Sequence, residues 1–237
     1  MADRGIQINK YLAHAGVSSR RQAEQLIKDG KVRVNSVIVR EPGYRVKPND
    51  SVMVNGETIA TERKAYILLN KPKNVITTVA DERGRTTVLD LLAGAPAVRL
   101  YPVGRLDRDT TGLLLITNDG ELSQKLAHPR SCIPKTYCAT LDKPVAAHDL
   151  VQLREGVRLE DGLASVDDSW YITPDKKTVG VALHSGKNRI VRRLFESRGY
   201  RVLKLDRVGF AGLTKKGLRL GQWRELTFEE VQALRAC

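Results

Sequence analysis

The sequence predicts an α+β protein with a small front unit and a second unit built on a largely antiparallel sheet. Segments typical of strands and helices follow one another without the regular strand–helix alternation of a parallel α/β fold. A polar stretch at residues 57–64 separates the first segments from a longer, strand-rich region. We therefore expect two domains, at residues 1–62 and 63–237, and we find no internal repeat.

The front unit is predicted to contain two short helices followed by a hairpin. Apolar side chains recur at helical spacing, and Ser18 or Ser19 can cap the second helix. Alternating valines on both sides of a turn indicate the hairpin. The expected elements are helices within residues 6–30, a hairpin around Asn35-Ser36, a strand near residues 51–54, a turn at Asn55-Gly56 and a linker at residues 57–64.

Basic side chains cluster on the second predicted helix and just after it. They are Arg20, Arg21, Lys28, Lys31 and Arg33, and only Glu24 and Asp29 oppose them. We interpret this cluster as a phosphate-binding surface, since it lies in a helix–turn–strand context typical of an RNA module. A solvated charged face is the structural alternative.

The second unit is predicted to consist mainly of strands. It begins with a buried strand at residues 65–69 that ends at Asn70-Lys71-Pro72. Further strands are expected at residues 75–79, 113–117, 136–141, 164–172, 178–183 and 202–205. Helices are expected at residues 88–92, 121–126, 147–154, 189–197 and 228–236. Thr227 and Glu230 form a capping box for the last of them.

The composition favours a polyanionic partner. The chain of 237 residues has 40 Lys and Arg against 27 Asp and Glu, a net charge of +13, and each phosphate that such a surface neutralises releases counterions. No apolar run approaches the roughly 20 residues that span a bilayer, and no signal region follows residues 1–5, so we expect a cytoplasmic protein without a membrane partner. Three scattered cysteines and four histidines show neither a disulfide framework nor metal-ligand spacing.

One acid stands out within residues 104–120. Asp107 lies between Arg105 and Arg108, just ahead of four aliphatic residues that predict a buried strand. A carboxylate at the edge of the core of a basic protein is a candidate nucleophile. Asp107 and Asp109 could instead hold a divalent cation, although the flanking arginines oppose this, and a turn-capping role is the structural alternative. We expect Asp109 to bind local backbone or an arginine.

A second basic segment, at residues 186–195, follows a buried strand and opens a helix. Arg192 falls at the edge of the apolar stripe of that helix, whereas Arg189 and Arg193 share a more exposed face. An arginine beside the core usually has an acidic partner, and we expect Asp107 to be that partner and to stay ionised through the pairing. We expect Arg189 and Arg193 to grip RNA phosphates.

Tyr137 lies at the start of another predicted strand, in the segment Lys135-Thr136-Tyr137. An aromatic ring near an ionised acid could stack on a base pulled out of an RNA helix. Taken alone, the residue is more typical of a core tyrosine.

With these segments in view, the chain resembles bacterial ribosomal RNA pseudouridine synthases of the RsuA/RluB family over nearly its whole length. The front unit is similar to the alpha-L RNA-binding module that precedes the catalytic domain of that family. Residues 69–72 match the first motif of the catalytic domain, and residues 104–107 followed by residues 111–114 match the family signature.

The resemblance implies the roles of the site residues. It places Asp107 on the catalytic aspartate, Tyr137 on the base-stacking tyrosine, Arg192 on the arginine that pairs with the aspartate, and Leu205 on the apolar residue that lines the uracil pocket. The remaining substrate-binding candidates are Arg105, Lys71, Arg189, Arg193, Arg20, Arg21 and Lys31. The family often has Gln where this chain has Ile190 and Arg where it has Lys187, but the three central positions match.

The implied activity is the isomerisation of a specific uridine to pseudouridine in ribosomal RNA, with 23S RNA expected ahead of 16S RNA. The target uridine of a stem-loop would be flipped into a pocket, where Asp107 attacks the nucleoside or abstracts a proton from the sugar. No cofactor or metal is needed, because nothing is oxidised, transferred or hydrolysed overall, and we expect a monomer. Two other classes stay open: a non-catalytic RNA chaperone, and a metal-dependent nuclease that uses Asp107 and Asp109.

Overall fold

The computed structural model describes residues 5–237, so the first four residues of the predicted front domain lie outside the described residues. The chain divides into two compact units. The first ends at Ala65 and also takes in Pro96–Arg99, and the second comprises Tyr66–Ala95 and Leu100–Cys237. The boundary predicted between residues 62 and 63 falls just before this division.

In the described part of the first unit, from residue 5 onward, two helices pack against short antiparallel strands. Its helices are α1 (Ile8–His14) and α2 (Arg20–Lys28), and its strands are β1 (Ile6–Gln7), β2 (Val32–Val34), β3 (Val37–Ile38), β4 (Arg45–Val46), β5 (Val52–Val54) and β6 (Glu57–Ile59). β1 pairs with β4, and the other strands form a sheet in the order β3–β2–β5–β6. Ser19 caps α2: its hydroxyl accepts the Gln22 backbone N–H at 3.2 Å, and the Gln22 side chain accepts the Ser19 N–H at 3.1 Å.

Two tight turns order the sheet of the first unit. Asn35, Ser36 and Asn55 have φ values of 49°, 70° and 51°, the left-handed conformation that two-residue hairpin turns require. The prediction of a linker over residues 57–64 is wrong for Glu57–Ile59, which pairs with β5. This strand lacks an apolar pattern because it lies at the sheet edge with its first two side chains exposed.

The second unit is built on a nine-stranded sheet. Nine strands form this sheet, and they are β7 (Tyr66–Lys71), β8 (Tyr101–Pro102), β9 (Thr111–Thr117), β10 (Lys135–Leu141), β13 (Asp168–Tyr171), β14 (Thr178–Leu183), β15 (Val202–Phe210), β16 (Leu213–Thr214) and β17 (Trp223–Glu225). The unit also contains β11 (Val157–Leu159) and β12 (Gly162–Ala164), which lie outside this sheet. Its α-helices are α3 (Gly120–Ala127), α4 (Ala147–Glu155), α5 (Ile190–Glu196) and α6 (Phe228–Ala236). The last matches the predicted helix, including the capping box of Thr227 and Glu230.

The main path of the sheet runs β13–β14–β10–β15–β9–β7–β17, with β16 on β15 and β8 on β9, while β11 and β12 form a separate pair. Its pairs are antiparallel except the one between β15 and β9. The predicted α+β class with a largely antiparallel sheet is therefore confirmed.

The parallel contact between β9 and β15 explains the glycine at the start of β9. Gly112 has a φ of 112°, and a Cβ there would collide with the main-chain oxygen of Arg207 on β15. Beyond this close approach, Leu113 to Ile116 are fully buried. The loop that carries Asp107 is thus attached to a rigid central strand.

Some elements of the second unit differ from those predicted from the sequence. Residues 75–79 form no strand, since only Ile76 bridges Thr87, and residues 88–92 form turns rather than a helix. Val75 and Val88 are buried all the same, because the irregular loop packs its apolar side chains inward. The strand predicted at residues 164–172 is interrupted between Ala164 and Asp168, and β15 continues past residue 205 to Phe210. Over residues 5–237, no helix combines the length and apolar character that a membrane span needs.

Candidate active site

A cavity of about 500 Å³ opens in the second unit. Its wall combines the loop over residues 103–110, the start of β10, the loop before α5, and β15. Five residues proposed from the sequence line it: Arg105, Asp107, Tyr137, Arg189 and Leu205. Distant segments of the chain therefore place these side chains around one space.

Asp107 lies at the rim of the cavity with its side chain 31% exposed. One of its carboxylate oxygens, Oδ2, is 3.5 Å from Nη1 of Arg189. The loop around it is held from both sides: the Thr77 hydroxyl donates to the Leu106 carbonyl at 2.8 Å, and the Thr110 N–H donates to the Asp107 carbonyl at 3.1 Å. The carboxylate is accessible to a ligand while its backbone is fixed.

The expected pair between Arg192 and Asp107 is wrong in this structure. Nη2 of Arg192 contacts Oδ2 of Asp109 at 2.9 Å, and its Nη1 donates to the Val202 carbonyl at 3.0 Å. Because the buried guanidinium of Arg192 is tied to β15, it meets the acid two residues along the loop. Arg189, in a left-handed conformation at the start of α5, faces Asp107 instead. The expectation that Asp109 binds an arginine is confirmed.

Lys71 does not line the cavity, so the prediction that it contacts the substrate is wrong in this structure. Its side chain is fully buried, and Nζ donates to the carbonyls of Pro72 and Thr110, both at 2.9 Å. The lysine therefore supports the Asp107 loop from within the protein. Burial lowers the pKa of Lys71 to about 8, although the carboxylates of Asp109 and Asp107 act in the opposite direction.

The lowered pKa of Lys71 predicts how stability responds to pH. The unfolded chain keeps the lysine proton up to its usual pKa of 10.5, whereas the folded protein releases it near 8. The unfolded state therefore binds more protons over this interval, and this group makes the folded state more stable as pH rises. We expect wild type to gain stability relative to Lys71→Met from pH 8 to pH 10.5, measured by urea unfolding. A difference between the two proteins that does not change with pH would contradict this assignment.

Arg193 is directed away from the cavity wall. Its Nη2 contacts Oδ2 of Asp161 at 2.9 Å, and Lys187 reaches the same carboxylate at 3.5 Å. The guanidinium of Arg193, which we predicted to contact RNA phosphates, is therefore already paired with an acid of this protein. Of the two arginines expected on the exposed side of α5, only Arg189 lines the cavity.

The cavity is strongly basic around a single acid. Among the described residues that line it, Asp107 is the one carboxylate, and the cations are Arg105, Lys135, Lys187, Arg189 and Arg207. Burial and then the guanidinium of Arg207 lower the pKa of Lys135. Lys135, Lys187 and Arg207 are not among the site residues predicted from the sequence. Alternate residues of a strand lie on the same face of a sheet. This rule could have grouped Lys135 with Tyr137, and Arg207 with Leu205.

The basic residues proposed in the first unit are exposed. Arg20 and Arg21 open α2, and Lys31 precedes β2. The cluster thus presents cations to solvent on a helix start that a capping box fixes. Such a surface is suited to phosphate groups, which these side chains can contact without displacing a buried partner.

The arrangement of acids offers little to a metal ion. Within residues 5–237, no three His, Cys, Asp or Glu side chains come together in a way that could hold one. Asp107 and Asp109 each face an arginine. What the arrangement offers is one accessible carboxylate in a cavity that attracts anions.

Comparison with known proteins yields matches for both units. A family model described as RNA pseudouridylate synthase matches residues 65–197, and a model of the S4 domain matches residues 8–52. The chain is 45% identical over 234 residues to the ribosomal large subunit pseudouridine synthase B of Bacillus subtilis, covering 97% of this chain and 96% of that protein. It is 39% identical over 233 residues to an uncharacterized RNA pseudouridine synthase of Aquifex aeolicus, covering 97% and 93%. A crystal structure of a pseudouridylate synthase aligns with a TM-score of 0.68 at 27% identity, covering 97% of this chain and all of that one.

Proposed function

The chain belongs to the RNA pseudouridylate synthase family and is an RNA pseudouridine synthase, and we propose that it modifies a specific uridine in the RNA of the large ribosomal subunit. The observation that carries the site assignment is the single carboxylate, Asp107, at a basic cavity that Tyr137 and Leu205 also line. The choice of the large subunit is supported by the name of the Bacillus subtilis relative.

The proposed substrate is a uridine flipped out of its RNA stack. Extrusion costs about a few kcal/mol and is least costly in a single-stranded loop, so a hairpin loop is the expected target. Tyr137 and Leu205 contact the uracil, and Arg105 and Arg189 contact the phosphates on either side. A cavity of about 500 Å³ is large enough to hold a nucleoside.

Asp107 starts the reaction by one of two routes. Its carboxylate attacks the nucleoside at the sugar, or it removes a proton from the sugar. In either case the bond between N1 and C1′ breaks, and its electron pair leaves with the uracil. The uracil turns within the cavity, and C5 forms the new bond to C1′. In the first route the ester bond between C1′ and Asp107 breaks at this step, and in the second route Asp107 returns the proton to the sugar. C5 then loses its proton and N1 gains one, so product and substrate are isomers and the reaction consumes no co-reactant.

Arg192 and Asp109 act as positioning residues in this proposal. Their contact at 2.9 Å joins the Asp107 loop to the buried face of α5, while Lys71 holds the same loop at Thr110. Rate depends steeply on the geometry of a reacting group, so a loop fixed at both ends favours catalysis.

The decisive experiment maps pseudouridine in ribosomal RNA from cells with and without the gene. We expect one or more pseudouridines of the large-subunit RNA to be lost, and restored by the purified protein on deproteinised RNA. Loss confined to the small-subunit RNA or to transfer RNA would refute the proposed substrate. A protein that only refolds RNA would leave the map unchanged, and a nuclease would shorten the RNA.

Neutralising the basic cluster of the first unit is expected to weaken RNA binding without slowing the chemical step. The triple variant Arg20→Ala, Arg21→Ala, Lys31→Ala should bind a substrate stem-loop about tenfold less tightly. Each lost phosphate contact should flatten the salt dependence of binding by about 0.9 in log–log slope. The matched control exchanges the same residues for the other basic type, which keeps the charge and should keep the slope. An unchanged affinity in the alanine variant would show that the cluster is only a solvated face.

A further inference from the structure

Arg207 occupies a wall of the cavity that the proposed mechanism leaves without a polar contact to the base. It lies on β15 opposite Tyr137 of β10, and it follows Leu205 by two residues, so all three side chains share one face of the sheet. Arg207 is 3% exposed and lines the cavity. It lies beyond residues 65–197, which the family model matches.

The guanidinium of Arg207 is fixed but only partly satisfied. Its Nε donates to the Leu113 carbonyl at 2.7 Å, and its central carbon is 4.8 Å from the centre of the Phe210 ring. Nη2 is buried and makes no hydrogen bond, and in residues 5–237 no acceptor is bonded to Nη1 either. A buried cation with unused donors is costly unless a ligand completes it.

The acid that directly precedes Arg207 in the sequence, Asp206, does not neutralise its charge. Asp206 alternates to the opposite face of β15, where it accepts hydrogen bonds from Lys215 at 2.6 Å and from Thr111 at 2.7 Å. No described residue forms an ion pair with Arg207. The cavity wall therefore carries an uncompensated positive charge beside the two side chains proposed to hold the base.

We propose that Arg207 donates a hydrogen bond to a carbonyl oxygen of the uracil and stabilises the negative charge that collects on the base when the N1–C1′ bond breaks. The proposal rests on the function assigned above. The electron pair of the broken bond delocalises onto the two carbonyl oxygens of uracil. A donor that is already in place stabilises such charge more than mobile water does. The same contact retains the detached uracil while it turns.

Burial favours the base over the phosphate as the partner of Arg207. Only a group that enters the cavity can reach a side chain that is 3% exposed. Arg105 and Arg189 are exposed at the same cavity and are open to the RNA backbone. The base is the part of a flipped nucleotide that stands between Tyr137 and Leu205.

The test compares Arg207→Met on two RNAs that differ at the target base, uridine or 5-fluorouridine. Fluorine withdraws electrons and stabilises the detached base, so it reduces the need for Arg207. Single-turnover reaction at saturating RNA is followed by liquid chromatography with mass spectrometry of the digested nucleosides, because uridine and its isomer pseudouridine have the same mass and are separated by retention time. We expect the variant to slow the uridine RNA by about 10²- to 10³-fold. We expect the variant to slow the reaction of the fluorinated RNA by a factor at least tenfold smaller. Its affinity for either RNA should stay within about twofold of the wild-type affinity. An unchanged rate, or equal slowing of both RNAs, overturns the proposal.

Two controls separate this role from others. Arg105→Met removes an exposed cation of the same cavity and should weaken RNA binding, with equal effects on the two RNAs. If Arg207→Met does not fold, Arg207→Gln, a neutral side chain whose amide can still donate a hydrogen bond, is compared on the same two RNAs. The uridine RNA should again be slowed at least tenfold more than the fluorinated RNA, and an unchanged rate or equal slowing of both RNAs overturns the proposal. If wild type leaves large-subunit RNA unmodified, the proposed substrate is wrong, and the comparison moves to the RNA that loses its pseudouridine in the mapping experiment.

Discussion

Asp107→Asn is expected to abolish pseudouridine formation while RNA affinity stays nearly unchanged. The amide has the size of the carboxylate and leaves the main-chain bond from Thr110 at 3.1 Å intact. It can neither attack the nucleoside nor accept a proton from the sugar, so the rate should fall by about 10³-fold or more. Single-turnover modification of a large-subunit stem-loop measures the rate, and titration of the same RNA measures the affinity.

Asp109→Asn is the matched control for this result. It removes the same charge two residues along the same loop. Asp109, however, contacts both Arg192 and Arg189, whereas Asp107 pairs only with Arg189 among the described residues. We expect this variant to keep a measurable rate, well above that of Asp107→Asn. The reverse order, an inactive Asp109 variant and an active Asp107 variant, would move the reacting carboxylate to Asp109.

Local signals in the sequence are enough to predict much of the fold. The capping serine of α2, the aliphatic run of β9 and the capping box of α6 each act within a few residues, and each element forms where these signals indicate. Residues 75–79 and 88–92 lack such signals. Their apolar side chains are buried by an irregular loop, and apolar content alone does not distinguish that loop from a strand or helix.

The cavity depends on contacts that no local pattern encodes. Lys71 ends a strand, where a lysine is usually solvated, yet the loop that carries Thr110 covers it completely. Arg207 follows Leu205 at strand spacing, but only the pairing of β15 with β10 and β9 gives it a cavity wall and a bond to Leu113. Both side chains are charged, so composition places them at the surface and only tertiary packing buries them.

The partner of Arg192 depends on an offset of two residues along a loop. Asp107 and Asp109 lie close together in sequence, and both come near the start of α5. A helical pattern predicts that Arg192 is buried and has an acidic partner, but not which of the two acids it reaches. The carbonyl of Val202 resolves this choice, because it holds the guanidinium at a fixed place on β15.

Arg192→Met should therefore destabilise the second unit and slow the reaction, and its energetic coupling should be to Asp109. The variant loses the hydrogen bond to Val202 at 3.0 Å and the ion pair with Asp109 at 2.9 Å, which predicts a loss of about 1–3 kcal/mol. With the Asp107 loop released, the rate at saturating RNA should fall by about 10²-fold. Both tryptophans, Trp170 and Trp223, lie in the second unit, so their fluorescence in urea reports its unfolding. In double-mutant cycles we expect a coupling of about 1 kcal/mol with Asp109→Asn and almost none with Asp107→Asn. A larger coupling with Asp107 would restore the pair that the family resemblance implies and overturn the contact described here.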